Sequence, residues 1–371
     1  MPRRVAVTGS RGKSSVTRLI AAGLRASGAR VLAKTTGSRP ALILPDGSER
    51  EIVRAGPPSI REQVRLIALA AATGADTLVS EMMSIGAECL AAESRSILKP
   101  GTLALTNVRL DHMDEMGRDR SSISRALAAA IPAGADIFIP EEEVHPAFEE
   151  AATRGRSRLH PVALDAPTGG SGDERPLPFG EFEPNWRLAR GVLSSLGIDA
   201  GTIGRGLFQA APDPGGLRVW RVEFGEPPRR AVCVSLFAAN EPESSTAALL
   251  KVREIVPGSG RPLVGLLSLR EDRADRTLQW VRAAGEGFFR DFSVVILIGP
   301  PARPALKKIR RLSGPDGPIL SCLERPSPEE VMGRILSIAA GEPVVVGLGN
   351  FVGFGADIVR FWESIGTAYD R

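Results

Sequence analysis

The sequence predicts two α/β domains, each built on a mainly parallel sheet with helices on both faces. Short apolar runs typical of strands alternate with helical patterns along almost the whole chain, as in parallel α/β folds. A glycine-rich turn with lysine and hydroxyls follows the first strand, as in phosphate-binding loops. The turn-rich segment APDPGG at 211–216 interrupts the alternation, which then restarts. We therefore expect an ATP-binding domain over residues 1–212 and a smaller, doubly wound domain over residues 213–371.

The elements of the first domain follow from the period of the apolar residues. A helix is expected over 13–27, and a capping box of Ser59 and Glu62 is expected to begin a second helix that runs to Ala72. A possible hairpin lies between them, before Pro58. Strands are expected at 30–34, 75–81, 102–106, 135–139 and 158–163. A loop rich in Gly and Pro over 165–180 precedes helices at 185–196 and 200–209.

The second domain repeats the alternation of strands and helices. Strands are expected at 218–224, 231–236, 262–268, 293–299, 318–322 and 343–348. Helices are expected at 243–256, 276–289, 328–340 and 351–366. The basic run at 307–311 (KKIRR) is predicted to lie on a helix, either as a solvated face or as a membrane-surface contact.

The composition narrows the class of protein. Of 371 residues, 43% are hydrophobic and 24% charged, as in ordinary globular proteins. The net charge of +4 is too dilute to indicate a nucleic-acid partner. The three cysteines lack metal-ligand spacing and are predicted to be reduced core residues in the cytoplasm. No signal peptide is predicted, and no apolar run approaches the roughly 20 residues of a spanning helix.

The first strand and the turn after it, VAVTGSRGKSS at 5–15, form a candidate nucleotide site. In such loops backbone N–H groups surround the phosphates, the lysine neutralises their charge and the next hydroxyl binds magnesium. The usual first glycine is replaced by Val7, so the motif is a shorter variant, and an ordinary strand-to-helix turn is the alternative. The residues expected to bind ATP here are Gly9, Ser10, Arg11, Gly12, Lys13, Ser14 and Ser15.

Other polar residues follow predicted strands, where ligands bind in open α/β sheets. Glu81 could complete a magnesium shell with Ser14, although it could also simply neighbour a helix N-terminus. The loop TNVRLDHMDEMG (106–117) contains an Asp-His pair, Asp111 and His112, which could also be structural. REDRADRT, ending at Thr277, could bind carboxylates or form a surface salt-bridge cluster. The candidate substrate-binding residues are Thr36, Arg109, Arg273, Asp275 and Arg276.

The combination of these motifs resembles a known family over nearly the whole chain. TGSRGKSSVTRLI, KTTGS, SEMMS, TNVRLDHMDEMG, APDPGGLR, FAAN, REDRADRT and GLGN occur in the order found in the ATP-dependent ligase subunits of bacterial poly-γ-glutamate (capsule) synthases. These subunits are relatives of the Mur ligases. The resemblance implies a Mur-ligase-like central domain, ATP and Mg²⁺ as cofactors, and activation of a carboxylate as an acyl phosphate that an amine then attacks.

The resemblance also implies roles for single residues. Lys13, Asp111 and His112 are the expected catalytic residues, and Ser14, Glu81 and His112 the expected metal ligands. Asn185 matches an asparagine that binds adenine, Arg218 an arginine that reaches the nucleotide from the second domain, and Asn240 a segment near the ribose and γ-phosphate. The helix after the Asp-His loop, SSISRALAAAIPAG, lacks the lysine that many Mur enzymes carry there.

The expected function is therefore elongation of poly-γ-glutamate, with glutamate and the growing chain as substrates. The resemblance implies small membrane subunits as partners and, through those subunits, a cytoplasmic location at the inner face of the membrane. A homo-oligomer is possible. A Mur-like ligase for another amino acid remains an alternative. So do a nucleotide-dependent switch or kinase, although no guanine-reading NKxD motif is present, and a non-catalytic assembly subunit.

Overall fold

The computed structural model describes residues 3–37, 39–54, 56–163, 180–237, 239–256 and 260–369. The chain divides into two compact units, Met1–Pro214 and Gly215–Arg371. The loop predicted over 165–180 lies outside the described residues, apart from its last residue. Ser38 of the KTTGS motif also lies outside them.

The first unit contains an eight-stranded sheet in the order β4-β3-β2-β5-β1-β6-β7-β8. Its strands are β1 (Arg3–Thr8), β2 (Val31–Thr35), β3 (Ala41–Ile43), β4 (Glu49–Glu51), β5 (Thr77–Glu81), β6 (Thr102–Leu105), β7 (Asp136–Pro140) and β8 (Arg158–Val162). The strands from β2 to β8 in this order are parallel. Strands β3 and β4 are antiparallel and form the hairpin expected before Pro58.

The central position of β1 brings the site motifs together. Val7 pairs with Glu81 on one side of β1, and Thr8 pairs with Leu105 on the other. The carboxyl ends of β5, β1 and β6 therefore lie side by side, at the edge where parallel sheets bind ligands.

Eight α-helices complete the described part of the first unit. They are α1 (Lys13–Ala26), α2 (Arg61–Ala72), α3 (Ala87–Ala91), α4 (Met113–Met116), α5 (Arg120–Ala128), α6 (Pro146–Gly155), α7 (Glu183–Ser195) and α8 (Ala200–Phe208). A π-helical segment, Ala92–Leu98, follows α3. Apolar residues of α1, among them Val16 and Ile20, pack against Trp186 and Leu193 of α7. Removing such side chains from water is the main stabilising contribution to this packing.

The capping box predicted for α2 is wrong. Ser59 Oγ accepts a hydrogen bond from the Arg61 N–H at 3.3 Å, but α2 has no side-chain cap of its own. Glu62 instead turns inward, with Oε2 3.0 Å from Lys34 Nζ, and Oε1 accepts a hydrogen bond from Arg54 Nε at 2.8 Å. The two cations outweigh a single backbone N–H as partners for the carboxylate.

The second unit contains a seven-stranded sheet in the order β13-β12-β11-β14-β10-β9-β15. Its strands are β9 (Arg218–Phe224), β10 (Arg229–Ser235), β11 (Leu263–Ser268), β12 (Val294–Ile298), β13 (Ile319–Leu323), β14 (Val344–Gly349) and β15 (Gly366–Ala368). The first five strands in this order are parallel, whereas β9 and β15 are antiparallel additions.

The helices of the second unit follow the predicted alternation. They are α9 (Pro242–Ile255), α10 (Ala274–Gly285), α11 (Ala302–Ser313), α12 (Pro328–Ile338) and α13 (Ala356–Ile365). A π-helical segment, Phe351–Gly355, leads into α13. The core includes the stacked aromatic pair Phe237 and Trp362, whose ring centroids lie 6.3 Å apart. In the part of the chain that the structure describes, no helix is long and apolar enough to cross a membrane.

The cysteines are free thiols. Cys233 is fully buried, and burial raises the pKa of its thiol well above the usual range. Cys322 is half-buried and Cys89 is exposed, so the predicted core placement is wrong for Cys89.

Candidate active site

The phosphate-binding loop joins β1 to α1 and depends on two glycines with positive φ. Gly9 has φ +125°, and a Cβ on it would lie 2.2 Å from Thr106 Oγ1. Gly12 has φ +76°, and a Cβ on it would lie 2.4 Å from Asn185 Oδ1. Both positions therefore exclude a side chain by conformation and by space. The shortened motif keeps its glycines where the loop needs them.

The loop is fixed to the neighbouring loop after β6. The Ser10 N–H donates to the carbonyl of Asn107 at 3.0 Å, and the Arg11 N–H donates to Asn107 Oδ1 at 3.0 Å. Ser10 Oγ accepts a hydrogen bond from the Arg109 N–H, also at 3.0 Å. The phosphate loop and the Asp-His loop are thus one hydrogen-bonded assembly.

Lys13 turns back over the loop that precedes it. Its Nζ donates to the carbonyl oxygens of Gly9 at 2.6 Å and Ser10 at 3.1 Å. Burial lowers the pKa of Lys13, while the nearby carboxylates of Glu81 and Asp111 oppose that shift. The Lys13 ammonium group thus donates to two uncharged carbonyl oxygens. A phosphate, which carries negative charge, accepts stronger hydrogen bonds and can replace them.

Ser14 and Glu81 form the feature of the site that fits a metal ion. Ser14 Oγ donates to Glu81 Oε2 at 2.8 Å, and the same oxygen accepts a hydrogen bond from the Thr36 N–H at 2.6 Å. Ser14 is 7% exposed and Glu81 2% exposed. Mg²⁺ is usually bound through one or two protein oxygens together with phosphate oxygens and water, so this pair is a suitable donor set. Among the described residues, no three His, Cys, Asp or Glu side chains form a group that could hold a metal ion.

The Asp-His pair lies beside the phosphate loop. Asp111 is 6% exposed, and its Oδ2 lies 3.2 Å from Arg11 Nη2. Its Oδ1 accepts a hydrogen bond from the His112 N–H at 3.0 Å, and Oδ2 lies 3.6 Å from His112 Nε2. His112 has φ +49°, in the left-handed region that is uncommon for a residue with a side chain. Backbone strain of this kind concentrates at functional sites.

Arg109, predicted to contact substrate, is engaged within the first unit. Its Nη1 donates to Glu143 Oε1, and the other oxygen of Glu143 accepts hydrogen bonds from Arg120 Nη2 at 2.9 Å and from the Val108 N–H at 3.1 Å. Glu143 is 6% exposed. The Arg109 guanidinium therefore contributes to holding the loop after β6, and its contact with substrate stays a prediction.

A buried polar network that no sequence motif indicates lies directly behind Glu81. Gln63 Oε1 accepts a hydrogen bond from Ser80 Oγ at 3.0 Å, and its Nε2 donates to Glu93 Oε1 at 2.6 Å. Lys34 is 1% exposed, with Nζ 3.0 Å from Glu62 Oε2. Burial would raise the pKa of Glu62, but Arg54 and Lys34 bring it down to about 2. Burial lowers the pKa of Lys34.

Asn185, the predicted adenine-binding residue, lies against Gly12 at the start of α7. Its Nδ2 donates to Glu181 Oε1 at 3.2 Å, and that oxygen also accepts a hydrogen bond from the Phe182 N–H at 3.0 Å. Burial raises the pKa of Glu181 to about 7 despite these donors, and the charge of Asp213 adds to the rise. Glu181, whose pKa lies near neutral pH, thus orients the side-chain amide of Asn185 beside the phosphate loop.

In the second unit, the predicted cluster in REDRADRT lies at the carboxyl edge of β11. Arg276 is 9% exposed, and its Nη1 donates to Asn350 Oδ1 at 3.1 Å. Asn350 Nδ2 in turn donates to the Ser268 carbonyl at 3.1 Å. GLGN is therefore more than a tight turn, because its asparagine joins β11 to α10. Arg273 and Asp275 are half-buried at the start of α10.

Two more predicted nucleotide-binding residues have partners within the second unit. Arg218 forms an ion pair with Glu363, and its guanidinium carbon lies 4.9 Å from the Trp220 ring centroid. Asn240 has φ +59°, and its carbonyl accepts a hydrogen bond from Trp280 Nε1 at 3.3 Å. Contact of either residue with nucleotide stays a prediction.

Comparison with known proteins identifies the family. The Mur ligase middle domain matches residues 7–127, and the C-terminal domain of poly-gamma-glutamate synthase CapB matches residues 222–365. PGA synthase CapB of Bacillus subtilis (strain 168) is 30% identical over 97% of this chain and 90% of its own length. The chain belongs to the CapB family. The CapB capsule biosynthesis protein of Bacillus anthracis is also 30% identical, over 95% of this chain and 75% of its own length.

The fold of this CapB-family chain is shared with other ligases. Escherichia coli FolC, solved with DHPP and ADP, matches 98% of this chain and 88% of its own with a TM-score of 0.65 at 18% identity. Mycobacterium tuberculosis folylpolyglutamate synthase, solved with ADP and AMPPCP, matches 100% and 92% with a TM-score of 0.66 at 18% identity. MurF of Acinetobacter baumannii matches 97% and 76% with a TM-score of 0.65 at 15% identity. The predicted Mur-ligase-like α/β fold and family are confirmed.

Proposed function

We propose that this CapB-family chain is an ATP-dependent amide ligase that elongates poly-γ-glutamate. The observation that carries the proposal is the Ser14–Glu81 contact at the mouth of the phosphate loop, at 2.8 Å. It places a hydroxyl from the first turn of α1 and the carboxylate that ends β5 together beside Lys13, which is the donor set that a magnesium nucleotide requires. Family membership supports poly-γ-glutamate as the product, because one relative is named for PGA synthesis and the other for capsule biosynthesis.

The chemistry that follows uses two transfers. A carboxylate oxygen of the acceptor attacks the γ-phosphorus of ATP, the bond to the bridging oxygen breaks, and ADP leaves with an acyl phosphate formed. The amine nitrogen of glutamate then attacks the acyl carbon, phosphate leaves with the bonding pair, and the nitrogen loses a proton to give the amide. Both steps depend on neutralising phosphoryl charge.

The residues of the first unit have distinct tasks in this scheme. The N–H groups of the phosphate loop and Lys13 bind the β- and γ-phosphates, with Lys13 exchanging the carbonyls of Gly9 and Ser10 for phosphate oxygens. Ser14 and Glu81 would hold Mg²⁺, which when bound withdraws charge from the phosphates. Asp111 orients Arg11 and His112 toward the side where the acceptor carboxylate enters, and His112 is a candidate ligand for a second cation there.

The proposal extends to the surroundings of the enzyme. We infer a cytoplasmic location at the inner face of the membrane, with small membrane subunits as partners and Mg²⁺ as the working metal. Arg273, Asp275 and Arg276 would bind a carboxylate-bearing substrate from the second unit. Its Asn350 gives Arg276 a fixed orientation.

The test is a product assay with the purified full chain, ATP, Mg²⁺ and a panel of amino acids, with and without the membrane subunits. We expect ADP release that depends on glutamate, with products that increase by one glutamate mass at a time. Release of AMP and pyrophosphate would overturn the acyl-phosphate mechanism. ADP release with an amide of a different amino acid would retain the ligase and overturn the polymer.

A further inference from the structure

Helix α11 of the second unit has one apolar and one strongly basic side. Its buried side consists of Ala302, Ala305, Leu306 and Ile309. The cations on its exposed side include four near its C-terminal end, Lys307, Lys308, Arg310 and Arg311, which we call the basic face. Because the apolar side is buried within the unit, the basic side is the part of α11 that an external anionic surface can contact.

The described residues of the second unit do not neutralise the basic face. Arg303, earlier on the same helix, pairs with Glu324 at 2.9 Å. Across the described residues, none of the four cations of the basic face has a carboxylate within ion-pair distance. Four like charges on two helical turns repel one another, so an external anionic partner would relieve that repulsion.

Two exposed apolar side chains lie at the C-terminal end of α11 and the start of β13, and the first of them, Leu312, also lies beside Gly285 of α10. Leu312, the residue after Arg311, is 51% exposed, and Ile319 at the start of β13 is 58% exposed. The connection 314–318 joins α11 to β13, so both side chains lie at the same end of the unit. Strand β13 is also the edge strand of its sheet. Exposed cations and apolar side chains therefore lie at one end of the unit, which we call the border.

This border lies away from the ligand-binding edge of the sheet. Helix α11 begins after the carboxyl end of β12 and runs back toward the amino ends of the strands, where β13 starts. The basic face occupies its last two turns. Arg276 and Asn350 lie at the opposite, carboxyl edge. The basic face is thus separate from the residues predicted to bind substrate, and its role does not rest on the proposed ligase reaction.

We propose that the basic face, with Leu312 and Ile319, binds the surface of an anionic phospholipid bilayer. The lipid headgroups supply the negative charge that the four cations lack, and the interface below them accepts the two apolar side chains. A soluble polycarboxylate offers the charge but no apolar phase, so it leaves Leu312 and Ile319 in water. The bilayer is the partner that can contact both the cations and the exposed apolar side chains.

The test is cosedimentation of the full chain with vesicles of phosphatidylcholine, with and without phosphatidylglycerol. We expect binding only to the anionic vesicles, with affinity that falls as salt rises. Each cation near such a surface contributes about fivefold to partitioning. A variant with K307Q, K308Q, R310Q and R311Q should therefore lose about two orders of magnitude or more of affinity. The pair L312S and I319S should remove the part of binding that resists salt.

The matched control changes four exposed helical arginines elsewhere, with R61Q, R65Q, R154Q and R334Q. It lowers the net charge by the same amount and should bind the vesicles nearly as the unchanged protein does. Equal loss in both variants would overturn the proposal, because binding would then follow net charge alone. The proposal would also be overturned if the protein did not bind the anionic vesicles but bound soluble polyglutamate or RNA in a salt-dependent way. The basic face would then bind a soluble polyanion and not a bilayer. Circular dichroism and ADP release check that the variants fold.

Discussion

The side-chain amide of Gln63 donates a 3.1 Å hydrogen bond to the main-chain carbonyl of Glu81. The same Nε2 lies 2.6 Å from Glu93 Oε1, and Glu93 accepts hydrogen bonds from the N–H groups of Met83 and Ser84. Gln63 and Glu93 are fully buried. The turn that presents the Glu81 carboxylate to Ser14 is therefore fixed from inside the domain, by residues that do not reach the nucleotide.

Replacing Gln63 by Leu should loosen this turn and raise the magnesium concentration that the enzyme requires. Glu93 would lose a buried donor, which costs about 1–3 kcal/mol of unfolding free energy. The magnesium concentration for half-maximal ADP release should rise several-fold, because the Glu81 carbonyl loses the Gln63 donor and keeps only its strand pairing with β1. The control is Ser124→Ala, which removes a buried hydroxyl that donates 2.8 Å to the Arg120 carbonyl. It should cost stability without changing the magnesium requirement, and the same change in both variants would contradict the positioning role.

Replacing Lys13 by Ala should reduce turnover by about a hundredfold to a thousandfold or more, since a preorganised donor to the transferring phosphoryl group is lost. The measurement is ADP release under saturating ATP and Mg²⁺. Lys251→Ala removes a lysine that pairs with Glu254 at the surface, at 3.2 Å, and should leave turnover unchanged. Wild-type turnover in the Lys13 variant would mean that the nucleotide site has been misplaced.

Gly12→Ala should abolish nucleotide binding through two separate effects. The left-handed backbone at φ +76° costs about 1 kcal/mol with a side chain, and the new methyl group would lie 2.4 Å from Asn185 Oδ1. Gly134→Ala separates these effects, because Gly134 has φ +68° but open space around its Cβ position. We expect similar backbone strain in both variants, measured by thermal unfolding, but loss of ATP binding in the Gly12 variant alone.

Glu181→Gln should change how stability depends on pH. Burial raises the pKa of Glu181 from its ordinary 4.5 to about 7 in the folded protein. Its contribution to stability is thus fully present below pH 4.5 and is lost as pH rises through about 7. The neutral glutamine lacks this loss, so the variant should gain stability relative to the parent between these values. Denaturant unfolding at several pH values measures the difference.

The control for that prediction is Glu88→Gln on α3, where the side chain is exposed. Its pH dependence should follow that of the parent protein. An unchanged profile in the Glu181 variant would contradict the raised pKa of Glu181, because burial would then not oppose its ionisation in the folded protein. A parallel measurement of ATP affinity reports whether the amide of Asn185 needs the Glu181 carboxylate as its partner.

Local sequence patterns determined most of the architecture. The phosphate loop was recognisable because its glycines, lysine and hydroxyl are consecutive, and the strands were recognisable because apolar runs end at turn residues. Glu81 could be chosen because it ends a predicted strand, and Asp111 and His112 because they lie in the loop that follows the next strand along the chain. Pairing of Val7 with Glu81 and of Thr8 with Leu105 then placed those strand ends together. Features that depend on neighbouring residues, such as motifs and the alternation of strands and helices, could be predicted from the sequence. So could the family to which the chain belongs.

The tertiary structure alone decided which partners the polar side chains take. Glu62 left its predicted cap for Lys34 and Arg54, and Asn350 joined Arg276 across 74 positions of sequence. Gln63 and Glu93 belong to no recognisable sequence motif, yet their hydrogen bonds fix the turn behind Glu81. A buried polar group must find hydrogen-bond partners wherever the fold brings them. Those partners come from distant elements, so no local pattern could reveal them.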